Sequence, residues 1–225
     1  NGDREQEYTG ASLTFNKRLA NRWMMRGNFT FADWEWSKIP ESSIADPTLI
    51  LGNGNREGEA VLQGSGTGSG AKGAVYINSS WSYNVNGLYQ VAPEQKWGFN
   101  VAASVNGREG YPLPYFERIG QGARGIPGFT RVQVVEDPTA FRLDDIHLLD
   151  ARLEKEVTFG DMGVTFGVDV FNVFNKSYVQ QRAHRLRTPL NATSIGLNPF
   201  TPYADYVTEV TSPRVIRLGV RLSLR

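Results

Sequence analysis

Trp81-Ser82-Tyr83-Asn84-Val85-Asn86-Gly87-Leu88-Tyr89-Gln90-Val91 sorts its residues by parity. Trp81, Tyr83, Val85, Tyr89 and Val91 share one side, while Ser82, Asn84, Asn86 and Gln90 share the other, which is the period of two of a strand with unlike faces. The pattern repeats on both flanks. Past the short joint Pro93-Glu94-Gln95, Trp97, Phe99, Val101, Ala103 and Val105 alternate with Asn100, Ser104 and Asn106. Upstream, Trp23, Met25, Phe29 and Phe31 alternate with Arg26, Asn28 and Thr30. Downstream, Leu149, Ala151 and Leu153 oppose Asp150, Arg152 and Glu154, and Val164, Phe166, Val168 and Val170 oppose Thr165, Gly167 and Asp169. The last such run sets Ile216, Leu218, Val220, Leu222 and Leu224 against Arg217, Gly219, Arg221 and Ser223.

Strands are therefore expected near residues 8–17, 23–34, 79–91, 96–106, 146–157, 162–174 and 214–224. Tight joints fall at Ala20-Asn21, Pro93-Glu94-Gln95 and Gly160-Asp161, and long ones at about 36–78, 107–145 and 175–213. Such connections exceed those of compact β domains. Short turns at one end and long loops at the other are the habit of an outer-membrane barrel, with the turns periplasmic and the loops extracellular. The fold class expected is all-β, an antiparallel transmembrane β-barrel portion of about seven strands. Runs of about ten to twelve residues suit a tilted membrane crossing. Trp23, Trp34, Trp36 and Trp97 near strand ends suit an interfacial girdle. On this reading Arg26, Asn28, Asn84, Asn100, Asp150, Arg152, Glu154, Asp169, Arg217 and Arg221 line the lumen, because charge on the lipid side is costly. An odd number of crossings separates the termini, so at least one further strand is expected elsewhere in a larger barrel. The alternative is an all-β module in solution, whose strands alternate for want of a second covered face.

The chain has 225 residues, 40% of them apolar, with 24 basic against 23 acidic side chains and no cysteine. Disulfides and thiolate chemistry are excluded, and the scattered basic residues give no footprint for nucleic acid. No window reaches the roughly 20 apolar residues of a membrane helix. The start at Asn1, with no charged-then-apolar leader, reads as a cut or processed end.

Specific stretches carry a family likeness. Tyr8-Thr9-Gly10-Ala11-Ser12-Leu13-Thr14-Phe15-Asn16-Lys17-Arg18-Leu19, Asn21-Arg22-Trp23 and Asn28-Phe29-Thr30-Phe31 resemble a strand-turn-strand unit of TonB-dependent outer-membrane receptors. Leu149-Asp150-Ala151-Arg152-Leu153-Glu154-Lys155, Asp169-Val170-Phe171-Asn172-Val173-Phe174-Asn175 and Ser212-Pro213-Arg214-Val215-Ile216-Arg217-Leu218-Gly219-Val220-Arg221 are similar to that family's last three strands. Tyr111-Pro112-Leu113-Pro114 fits the Oar-like branch. The resemblance implies the C-terminal portion, over residues 1–225, of a barrel of about 22 strands around a plug. It further implies TonB-dependent transport of a solute at the outer membrane of a Gram-negative bacterium. The partners implied are outer-membrane lipid, the receptor's own plug domain, the periplasmic TonB coupling protein and the barrel-assembly machinery. The ending Leu224-Arg225 departs from the aromatic last residue usual in such barrels.

Other signals are weaker. Gly68, Gly70 and Gly73 match G-x-G-x-x-G but lack a βαβ setting, so a loop tip is the better reading. His147 and His184 are too far apart in sequence, and lack the partners, for a metal pair. Asp144-Asp145 and Glu136-Asp137 lack the glycine-turn pattern of a calcium loop and read as solvated charge. Asp150, Glu154 and Asp169 share strands with Arg152, which favours cross-strand ion pairs over acid–base catalysis. No enzyme activity, cofactor or metal is expected. Ligand contacts are expected from the loops: Tyr111, Tyr115, Phe116 and Arg118 in one, and Arg182, His184, Arg187, Phe200 and Tyr203 in another, where aromatics and arginines could meet a small solute or peptide. Alternatives to transport are an outer-membrane adhesin, a surface-assembly component or barrel enzyme, and an all-β binding module.

Overall fold

The computed structural model describes residues 5–37, 58–59, 62–65, 74–113, 116–119, 130–133, 139–182 and 207–224. The strands in chain order are β1 (Glu5–Ala20), β2 (Trp23–Ser37), β3 (Gly58–Glu59), β4 (Leu62–Ser65), β5 (Ala74–Ile77), β6 (Trp81–Val91) and β7 (Phe99–Arg108). They continue with β8 (Phe116–Ile119), β9 (Thr130–Gln133), β10 (Ile146–Phe159), β11 (Met162–Phe171), β12 (Val179–Arg182), β13 (Val207–Val210) and β14 (Val215–Leu224). The main sheet has the order β1-β2-β6-β7-β10-β11-β14, with β3 paired to the end of β2. Two-stranded ribbons β4–β5, β8–β9 and β12–β13 occupy parts of the three long connections.

Each main-sheet neighbour is antiparallel and follows in the chain's succession of long strands. The tight turns set the alternation. At Ala20-Asn21-Arg22-Trp23, Asn21 and Arg22 have φ of 53° and 71°, the signs of a type I′ turn, whose twist matches the flanking strands. Lys17 Nζ donates to the carbonyls of Ala20 and Trp23 at 2.9 and 3.0 Å, closing that turn from one side. At Gly160-Asp161 the positive φ of 57° falls on glycine, where it is unstrained.

Register confirms the two faces. Leu13, Phe29 and Tyr83 lie in one cross-strand row, Tyr89, Val101, Leu153, Val168 and Leu218 in another, and Phe166 sits beside Val220. These rows make one continuous apolar side. On the opposite side Thr14, Asn28, Asn84 and Asn106 align, as do Arg152, Asp169 and Arg217.

The expected transmembrane barrel is corrected by this topology. Among the described residues β1 pairs only with β2 and β14 only with β11, so the sheet is open and encloses no lumen. Six antiparallel steps also leave β1 and β14 running in the same direction. The outer-membrane placement and the TonB-dependent transport expected for a portion of a larger barrel do not stand. The tryptophan girdle is also split: Trp34 aligns with Tyr8 in the parity of Thr30 and Asn28, the face opposite to Trp23. Among the described residues no helix is long and apolar enough to cross a membrane.

Candidate functional site

The ten residues expected to line a lumen all fall on one face of the open sheet, where the register places them with the amides of β2, β6 and β7. Five of them form a chain of ion pairs. Asp169 Oδ1 accepts from Arg152 Nη1 at 3.0 Å, and Oδ2 accepts from Arg217 Nε at 3.0 Å. Arg152 also donates through Nε to Glu154 Oε2 at 3.1 Å, and Glu154 Oε1 lies 3.7 Å from Arg221 Nη2. Gly167, facing the Arg152 guanidinium, leaves the space that this side chain crosses.

Electrostatics follow from the geometry. Burial alone would raise the Asp169 pKa, but hydrogen bonds and charge from Arg217 and Arg152 prevail and hold it below the ordinary carboxylate value. The Glu154 hydrogen bond, opposed by burial, raises Arg152 above its usual value. Both carboxylates are committed to arginines, so the cluster ties β10, β11 and β14 together.

A shallow depression of about 410 Å³ adjoins the cluster, lined among others by Arg26, Asn86, Ser104, Asp150, Arg152 and Asp169. A second, of about 350 Å³, is lined by Thr14, Asn16, Asn28 and Asn84 and shares Arg26 and Asn86 with the first.

The loop candidates disperse. Tyr111 is already engaged: the Arg108 guanidinium lies 3.5 Å from its ring centroid. Burial lowers the Arg108 pKa, with Tyr111 opposing. Phe116 and Arg118 lie on β8, and Arg182 ends β12 half-buried. Tyr115, His184, Arg187, Phe200 and Tyr203 lie outside the described residues, as do Gly68, Gly70, Gly73, Glu136 and Asp137. Among the described residues no group of three His, Cys, Asp or Glu side chains is placed to hold a metal.

Sequence reasoning missed a polar knot at the loop end of β6, β7 and β10. Glu109 Oε2 accepts from Ser80 N and Ser80 Oγ at 2.7 Å each and lies 3.3 Å from Arg142 Nη1. Arg142 also reaches the Asn78 and Gly110 carbonyls at 3.1 Å each, and Asp145 accepts the Gly110 N–H at 2.9 Å. Asp145 is thus a loop brace rather than a solvated charge. Beside the knot, Trp81, Tyr83 and His147 stack with ring centroids 5.6–6.1 Å apart. No adjacency in the sequence announces these groupings, because each joins residues about 30 to 60 positions apart.

The Phe171-Asn172-Val173-Phe174-Asn175 stretch is a turn that interrupts the ladder without reversing the chain: β11 before it pairs with β14, and β12 beyond it pairs with β13, the strand that precedes β14. Asn172 and Asn175 have φ of 51° and 52°, a left-handed conformation asparagine tolerates better than most residues. Asn172 Nδ2 donates to the Lys176 and Ser212 carbonyls at 3.0 and 2.9 Å, and its Oδ1 accepts from Lys176 N at 3.1 Å. Asn175 Oδ1 accepts from Arg214 N at 2.8 Å, aligning the start of β14.

No protein-family model, curated protein or solved structure matches the chain. The expected membership of the TonB-dependent receptors, Oar-like branch, is therefore corrected. The asparagine motif that carried most of it is explained by a local backbone need that any antiparallel sheet can have.

Proposed function

We propose that the chain is an all-β binding module that works by seating an apolar surface of a protein partner on its broad sheet. The observation that carries this reading is the continuous apolar side, left open among the described residues. Leu218 is 77% exposed, Leu222 68%, Leu13 66% and Phe166 50%. Scattered apolar residues need no explanation, but a contiguous apolar side spanning seven strands exceeds what isolated proteins ordinarily leave bare. Burying such a side contributes about 25 cal/mol per Å² of apolar area, the dominant favourable term in association.

The chain's lack of cysteine makes a direct test available. Single cysteines at Val168 and Val220 would report on the apolar side, and one at Asn84 on the other. In the native cellular setting, thiol alkylation should be slow at Val168→Cys and Val220→Cys, fast at Asn84→Cys, and equal at all three after denaturation. Equal native reactivity would rule the reading out.

A further inference from the structure

Arg26, Asn86, Ser104 and Asp150 form one cross-strand row through β2, β6, β7 and β10. All four line the depression of about 410 Å³ on the polar side. Four charged side chains line that depression, Arg26, Asp150, Arg152 and Asp169. Arg152 and Asp169 pair with each other at 3.0 Å within the five-residue cluster. Arg26 has no ion-pair or hydrogen-bond partner among the described residues, and no ion pair joins it to Asp150. Asp150 accepts one neutral hydrogen bond, from the Asn172 N–H to Oδ1 at 2.8 Å. The row therefore has an uncompensated cation at one end and an uncompensated anion at the other.

We propose that this row binds an extended peptide segment carrying one acidic and one basic side chain on the same edge, with the acid at Arg26 and the base at Asp150. The spacing selects the ligand. Three strand intervals of about 4.8 Å separate the two charges by about 14 Å, too far for a single amino acid. An extended peptide advances about 3.4 Å per residue with side chains alternating, so residues i and i+4 fall about 14 Å apart on one edge. Between the charges, Ser104 can donate and accept, and Asn86, whose Nδ2 already donates to Asn84 Oδ1, keeps its second N–H and its carbonyl oxygen for the amides of a peptide backbone. Beyond Arg26 the second depression continues this lining with Thr14, Asn16, Asn28 and Asn84, so the peptide extends past its acidic residue. The row lies on the face opposite the apolar side, so this site does not depend on what covers that side.

The test is fluorescence anisotropy with the full chain at low ionic strength and a labelled peptide, Asp-Ser-Gly-Ser-Lys-amide. The comparison probes are a peptide of the same composition with Asp and Lys adjacent, and a neutral Asn/Gln version. The spaced peptide should bind most tightly and weaken with added salt. Arg26→Gln and Asp150→Asn should each weaken it about two- to five-fold, in line with exposed ion pairs, and leave the neutral peptide unaffected. The Asp150→Asn side chain keeps an oxygen for the Asn172 N–H, so matching thermal melts would show that the sheet is intact. Equal binding of the adjacent-charge or neutral peptide, or unchanged binding by both variants, would overturn the proposal.

Discussion

Tyr83 reaches across the β7 backbone to place its hydroxyl 2.9 Å from His147 Nδ1, and the residue it passes over is Gly107. A Cβ at Gly107 would lie 2.7 Å from the tyrosine ring. Gly107→Ala must therefore push the ring aside and break the contact with His147. A loss of about 1–2 kcal/mol is expected in urea unfolding. Gly219→Ala, where nothing lies within 4 Å, should be neutral or slightly stabilising, since glycine in a strand costs chain entropy. Equal losses at the two positions would contradict this account of the Tyr83–His147 bridge.

Asp169 separates two arginines, and its depressed pKa fixes the sign of a pH effect. The unfolded chain holds this proton more tightly than the folded one. Asp169 therefore contributes stability above its ordinary value of 3.8, and the contribution is lost as pH falls through the lower folded value. Asp169→Asn should cost about 1 kcal/mol at neutral pH, modest because both arginines remain solvent-accessible. It should also flatten the acid limb of stability measured between about pH 5 and 2. An unchanged acid limb in the variant would assign that limb to other carboxylates.

Asn172 combines a left-handed backbone with three side-chain hydrogen bonds. Asn172→Ala loses both the bonds and the conformational tolerance, an expected cost of about 2–3 kcal/mol. Asn172→Gly restores the backbone freedom alone and should recover only part of that loss. Chemical unfolding of the pair separates the two terms, and full rescue by glycine would show that the hydrogen bonds contribute nothing.

Arg22 holds φ at 71° in a turn whose second central position favours glycine. Its pairing with Glu94 is exposed at 3.8 Å and contributes little. Arg22→Gly is expected to stabilise by about 0.5–1 kcal/mol, read as a raised urea midpoint. A lowered midpoint would mean that the ion pair outweighs the backbone strain.

Strand positions and faces were legible because parity is a local property. Trp81 to Val91 shows it within eleven residues, and the register of β6 against β2 and β7 keeps every assignment. Parity says which side a residue occupies, not what lies opposite, so the alternation suited an open sheet and a closed wall alike. The β4–β5, β8–β9 and β12–β13 ribbons were hidden because their strands have only four residues each, too short to show a period. The pairing of Arg152 with Asp169 followed from facing charges on adjacent strands, whereas the Arg26–Asp150 row depends on the register of four strands. Tyr111 reads as a ligand contact from its loop setting, yet Arg108, three positions earlier, occupies its ring.

The consecutive order of the long strands makes the molecule a file of clips: β1 with β2 and β10 with β11 are each closed by two residues, and β6 with β7 by the short connection 92–98. A protease cut between β2 and β6 or between β7 and β10 would sever the polypeptide without dividing a clip. Pieces so produced retain matching ladder edges, so they can be made separately and mixed, and fragment complementation becomes a way to rebuild the sheet one clip at a time.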